Sequence, residues 1–171
     1  IQRQTIGNPG QFTNSDDRFG WDVAISGNSA VVGAYGAYRD ATTWTGVAYV
    51  FVLQGGVWTQ QVRLFPGSNG INGEQFGESV AISGNTVAVG ARHAKFDNSV
   101  EGQVHGAVYV YTRTGTAWAL QQRIMAADTA KGLTFGQAVD LEGDQLVVGA
   151  SRTYPQLPPA QTPSAGVYSF V

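Results

Sequence analysis

The chain has 171 residues, a formal net charge of −2 with acids and bases interspersed, 23 glycines and no cysteine. That length suits one ordinary domain. The charge balance leaves no electrostatic footprint for nucleic acid or an anionic membrane, disulfides and thiolate metal sites are excluded, and no apolar run approaches the ~20 residues of a membrane span.

High glycine, plentiful aromatics and sparse charge suit an all-β protein rich in turns. In chain order the first element is IQRQTI at residues 1–6, a short extended segment. A 16-residue phrase then begins at Phe19, FGWDVAISGNSAVVGA, and returns as FGESVAISGNTVAVGA at Phe76 and FGQAVDLEGDQLVVGA at Phe135. The steps are 57 residues from Phe19 to Phe76 and 59 from Phe76 to Phe135. Self-similarity at a fixed long period marks a repeat architecture.

Within each copy a first strand (DVAIS, SVAIS or AVDLE) meets a tight turn at Gly27-Asn28, Gly84-Asn85 or Gly143-Asp144. Gly and Asn or Asp there are expected to supply the positive φ that hairpin turns require. The second strand is AVVGA, TVAVGA or QLVVGA; a long loop leads to the third, VAYVFV, AVYVYT or GVYSFV. A fourth, VWTQQVRL or AWALQQRI, follows only in the first two copies. Helix-period patterning is absent, and the strands are short, β-branched and aromatic. Inner strands that are almost continuously apolar imply that both sheet faces are covered, as in stacked propeller blades.

The phase of the repeat leaves the third copy one strand short. IQRQTI aligns with TQQVRL and ALQQRI, and Ile6, Leu64 and Ile124 stand 13, 12 and 11 residues before their Phe-Gly. Residues Ile1, Gln2, Arg3, Gln4, Thr5 and Ile6 are therefore expected to be the outer strand of the third blade, added to the edge formed by Val167, Tyr168, Ser169, Phe170 and Val171. Three blades fall below the usual four to eight of a closed propeller, and an unpaired edge is a template for aggregation. Strand addition between chains is the expected solution. Two chains would close a six-bladed ring, whereas a head-to-tail exchange would give an open filament. A compact monomer with the first strand folded back, or a piece of a longer propeller, are the competing readings.

These residues resemble the FG-GAP repeat, the blade unit of integrin-α-type β-propellers, and most closely its bacterial form: Phe-Gly, a Val-Ala-Ile-Ser-Gly-Asn turn, Val-Gly-Ala, then Gly-x-x-Tyr-Val-Phe. The resemblance implies an all-β, propeller-type array of three four-stranded antiparallel blades in a single domain spanning residues 1–171. It also implies calcium, held by an acidic loop after the Gly-Ala. Calcium needs six to eight oxygen ligands, but the loops at residues 35–46, 92–106 and 151–166 hold one, two and no acidic residues respectively. Asp97, Asn98 and Glu101 are the only remnant of such a site, so no cofactor is expected.

Outside the loops, Asp140 and Glu142 share a strand face by period two, read as polar lining, while Asp144 is explained by its turn. His93 and His105 flank the middle loop without an acidic partner at ligand spacing and read as surface residues. No serine is phased with a histidine and acid, and no phosphate-cradling loop occurs, so no enzyme is expected. Phe19, Phe76 and Phe135, with Tyr49, Tyr109 and Tyr168, recur in phase and read as core; Trp58 and Trp118 read as packing between blades. Tyr35, Tyr38, Trp44 and Tyr154, with Trp21, break the repeat on or near loops and are candidate contacts for a glycan or a protein partner. The proline-rich QLPPAQTP at residues 156–163 is suited to lying along another surface.

The leading expectation is a non-catalytic structural or adhesion protein whose main partner is itself. Its first residue is Ile rather than Met, and the reading is of an extracellular or cell-surface chain from which a leader has been removed. The alternatives are a lectin-like or protein-binding module using the loop aromatics, and an accessory domain of a larger enzyme.

Overall fold

Each copy of the repeated phrase folds into the same two-stranded hairpin, and each hairpin seeds one antiparallel sheet. The computed structural model describes residues 4–10, 16–67, 72–95, 104–126, 133–152 and 166–170. Sheet 1 contains β1 (Val23–Ser26), β2 (Ser29–Ala34), β3 (Val47–Gln54) and β4 (Val57–Leu64). Sheet 2 contains β5 (Phe76–Ser83), β6 (Thr86–Ala91), β7 (Ala107–Thr114) and β8 (Ala117–Ile124). Sheet 3 contains β9 (Leu133–Glu142), β10 (Gln145–Arg152) and β11 (Gly166–Phe170). In every sheet the strands are hydrogen-bonded in sequence order.

The turns work by a narrower device than expected. Gly27, Gly84 and Gly143 have φ of 56°, 56° and 58°, but neither Asn28, Asn85 nor Asp144 adopts a positive φ. Positive φ at the first central position alone is the type II′ pattern. The second turn residue serves another purpose: the carbonyls of Asn28 and Asn85 accept the N–H of Leu53 and Arg113 at 2.8 Å each, tying the turn to the third strand.

The sheets stack face to face, and inner strands such as β2, β5 and β6 are buried along almost their whole length, as cover on both faces implies. One cluster joins sheet 1 to sheet 2 through Val31, Ala48, Val50 and Leu64 against Phe76, Val80, Ile82, Val87 and Val89. A second joins sheet 2 to sheet 3 through Ala81, Ala88 and Val108 against Phe135, Leu146 and Val148. A third lies on the outer face of sheet 1, where Val32, Tyr49 and Phe51 meet Phe19, Trp58 and Ile6.

The two internal steps repeat the same contacts. Phe76 N–H donates to the Thr45 carbonyl at 2.9 Å and Phe135 N–H to that of His105 at 3.2 Å, giving matching parallel bridges at Gly46–Phe76 and Gly106–Phe135. Ser26 Oγ accepts the Gly84 N–H, and Ser83 Oγ the Gly143 N–H, both at 3.0 Å. Gly33 lies so close under the Gly77 peptide that a Cβ would sit 3.0 Å from its carbonyl carbon and nearer still to its oxygen; Gly90 lies under Gly136 in the same way. The repeated Val-Gly-Ala is therefore a seam where one sheet's backbone presses on the next.

Candidate functional site

Among the described residues, sheet 3 has three strands and its outer edge is β11. Of the segment expected to complete it, residues 1–3 lie outside the described residues, as does Val171, and residues 4–6 carry no strand assignment. Gln4 and Ile6 instead rest on sheet 1. Gln4 Oε1 accepts the Trp58 N–H at 2.8 Å and its Nε2 donates to the Trp58 carbonyl at 3.2 Å, a side-chain imitation of strand pairing. Ile6 packs with Phe19, Tyr49 and Phe51.

That position has two internal counterparts. Leu64, the match of Ile6 in β4, packs with Phe76, Tyr109 and Tyr111 of sheet 2, and Ile124, its match in β8, packs with Phe135 and Tyr168 of sheet 3. The ring geometries repeat as well: Phe19–Tyr49, Phe76–Tyr109 and Phe135–Tyr168 are edge-on at centroid separations of 5.4, 5.4 and 5.2 Å. The N-terminal segment thus lies against sheet 1 where the fourth strand of a preceding sheet would lie.

A polar cluster at one end of the sheets was not visible from motif reading. Tyr49 and Tyr109 face Arg63 and Arg123 across the third and fourth strands, with each guanidinium over its ring at 5.9 and 5.6 Å from the centroid. Arg63 also donates to the Tyr38 and Arg39 carbonyls at 2.9 and 3.2 Å, pinning the loop after β2; Arg123 donates to the Lys95 carbonyl in the same role. An acid lies two residues before the first and the second Phe-Gly. Glu74 is buried and its Oε2 accepts the Tyr109 hydroxyl at 3.0 Å, while Asp17 is buried and its Oδ2 accepts the Asn8 amide at 2.9 Å. Burial first, then the neighbouring Glu74 carboxylate, pushes the Tyr109 hydroxyl well above the usual phenol range; burial also raises the Tyr49 hydroxyl, with Arg63 acting against it. In the third copy the acid position is Leu133, and the position matching Arg63 and Arg123 on the N-terminal segment is Thr5. Acid and arginine are present together in two copies and absent together in the third. The signal in the sequence was a charge at a fixed offset from Phe-Gly, which a search for ligand spacing passes over.

Between sheets 2 and 3 there is a groove of about 290 Å³, lined by Val110, Gln121 and Ile124 of sheet 2 and Leu141, Asp144 and Leu146 of sheet 3 among others. At the sheet 1–2 step the corresponding space holds Trp118, packed against the cluster there, with its Nε1 donating to Gln61 Oε1 at 2.8 Å. Gln121 is the match of Gln61.

The loop aromatics divide. Tyr38 and Trp44 come together as partners of an antiparallel bridge. Asp40 shapes their loop by accepting the N–H groups of Thr42 and Thr43 at 3.0 and 2.9 Å, which hold its carboxyl well below the usual carboxylate range. Trp44 is 37% exposed. Tyr35 goes elsewhere, with Trp21 edge-on at 4.9 Å and Arg18 Nη1 donating to its hydroxyl at 3.1 Å. Tyr154, Asp97, Asn98 and Glu101 lie outside the described residues. Among the described residues no three His, Asp or Glu side chains are grouped to hold a metal ion. The reading of both histidines as surface residues fails at His105, which is buried, because its backbone is part of the seam to Phe135.

No curated protein matches this chain. The family model described as FG-GAP repeat matches residues 13–51, 58–111 and 118–168. The second and third matches start in β4 and β8, so the family unit joins the fourth strand of one sheet to the first three of the next. The repeat thus runs across the seams described above, and the chain belongs to the FG-GAP repeat family.

Proposed function

We propose that this chain is a non-catalytic extracellular structural or adhesion module, with its sheets set as propeller blades, that assembles by donating residues 1–6 as the fourth strand of a neighbouring copy's third sheet. FG-GAP repeats are typical of extracellular or surface proteins. One observation carries the reading: Gln4 and Ile6 rest on sheet 1 where β4 rests on sheet 2 and β8 on sheet 3, while the edge of β11 has no partner strand among the described residues. Main-chain hydrogen bonds along β11 supply affinity and Ile6 supplies register, as in strand addition generally. Thr5 opposite a sheet that carries Leu133 in place of an acid agrees with that pairing. Light scattering and electron microscopy of the full chain and of a chain lacking residues 1–6 test it. The full chain is expected to form closed rings or filaments that the shortened chain does not form. Equal assembly by both would overturn the proposal.

A second reading draws on Trp44, whose exposed ring stands on a loop held by Asp40 and Arg63. A pinned loop loses little entropy on binding, and an indole face suits a sugar ring or a protein partner. Glycan binding lost in Trp44→Ala would support it; an unchanged binding profile would remove it.

A further inference from the structure

We infer that the open face of sheet 3 docks on the open face of sheet 1 of a second copy, in the register of the two internal steps; this deepens the assembly reading above and rests on it. The two faces are complementary because each is half of a contact that the chain already makes twice. On sheet 1, Val23 and Ile25 are 63% and 66% exposed, yet their matches Val80 and Ile82 are 4% and 6% exposed beneath sheet 1. On sheet 3, Val147 and Val167 are 40% and 75% exposed. Their matches, Val31 and Ala88 for the first and Ala48 and Val108 for the second, are wholly buried under the following sheet.

The backbone agrees with the side chains. Gly33 and Gly90 are glycine because a following Phe-Gly peptide presses on them. At Gly149, the third copy of that position, the three atoms nearest an added Cβ all belong to Ala138 of its own sheet, the closest being its Cβ at 3.3 Å. On the other side Gly77 and Gly136 sit against the Val47 and Ala107 carbonyls of the preceding sheet, each 2.5 Å from an added Cβ, whereas Gly20 meets nothing within 4 Å. Docking places the Gly20 peptide over Gly149, as Gly77 lies over Gly33. It also brings the Gly27 N–H to Glu142, the match of the Ser26 and Ser83 acceptors. The donated strand needs no separate journey: Gln4 and Ile6 already lie on sheet 1, and docking carries them to the edge of β11.

One residue opposes the contact. Asp140 stands on this face where Ala24 and Ala81 pack against the next sheet, and burying its carboxylate against an apolar face is unfavourable. Asp140 therefore sets how tightly copies associate, which yields a variant that gains function.

Sedimentation velocity across a concentration series, on the full chain with thermal unfolding checked in parallel, provides the test. Asp140→Ala is expected to lower the concentration for half-association at least tenfold, and Val167→Asp to raise it at least tenfold. Both positions are exposed, so each variant should keep the unfolding midpoint of the parent. The inference is overturned if the parent stays monomeric throughout, or if both variants associate as the parent does. Loss of association on removing residues 1–6, with Val167→Asp unaffected, would overturn face docking while leaving strand donation standing. The converse result would sink strand donation alone.

Discussion

Replacing Gly33 by alanine tests whether the glycine of Val-Gly-Ala is a spacer between sheets. The new Cβ would meet the Gly77 carbonyl carbon at 3.0 Å and its oxygen closer still, whereas non-bonded carbons settle at about 3.5–4.0 Å. Sheet 2 must therefore back away by roughly 1 Å, a gap that already forfeits up to about half of each dispersion well along the seam. The seam is lined by Val31, Phe76, Val89 and Ala91, none of which has measurable exposure, so little can relax to fill it. Overpacking of this kind costs about 1–3 kcal/mol, and the density here argues for the upper end. For a chain of this size each kcal/mol moves the midpoint by about 2–4 °C, so a fall of about 6–12 °C is expected. Urea titration and thermal scans by far-UV circular dichroism measure it. At Gly149 the nearest obstacle is Ala138 Cβ at 3.3 Å, and Gly149→Ala should shift the dilute chain by no more than about 0.5 kcal/mol. Equal midpoints for Gly33→Ala and the parent would refute the spacer argument.

Tyr109→Phe removes the hydroxyl held by buried Glu74 and should cost about 1–3 kcal/mol, since a carboxylate loses a buried donor; denaturant unfolding reads this, and a value near zero would deny the bond any net worth. Arg63→Ala frees the Tyr38 and Arg39 carbonyls and should raise amide exchange in residues 38–44 well before the whole sheet opens; unchanged protection there would contradict the pinning role. Burial, and then Arg92, depresses the His93 imidazole below its ordinary value, so its share of stability is present above the ordinary histidine range and is lost as pH falls through it. His93→Gln should flatten that loss in pH-dependent unfolding. Burial raises the Glu78 carboxyl despite Arg92 Nε at 2.8 Å, which gives the opposite sign: stability is highest below the ordinary carboxylate range and declines as pH rises through it. Glu78→Gln should remove that decline.

Much of the fold is legible from local chemistry. Three phased copies of Phe-Gly, a Gly-Asn or Gly-Asp turn and Val-Gly-Ala mark the hairpins, and the strands pair across those turns as expected. The length of the first strand was not legible. It begins at Val23 in sheet 1 but at Phe76 and Leu133 in the others. Phe76 and Phe135 are bridged to a preceding sheet through Gly46 and Gly106, and among the described residues sheet 1 has no such neighbour. His105 was misread for a similar reason: exposure depends on which backbone passes overhead, and no residue pattern reports that. The Glu74–Tyr109–Arg123 cluster joins residues up to 49 positions apart, so only the pairing of β7 with β8 and the approach of Glu74 make it a unit.

The sequence by itself determined the β class, the period and the turn positions, because the strands and turns are written in residues within a few positions of one another. It also determined that Ile6 matches Leu64 and Ile124. Only the tertiary structure decided what those matches mean. It placed Ile6 on sheet 1, separated Tyr35 from Trp44, and left Val23, Ile25, Val147 and Val167 uncovered while burying their sheet 2 counterparts Val80, Ile82, Ala88 and Val108. Burial is a property of what lies across a seam, and seams join residues that the chain keeps far apart.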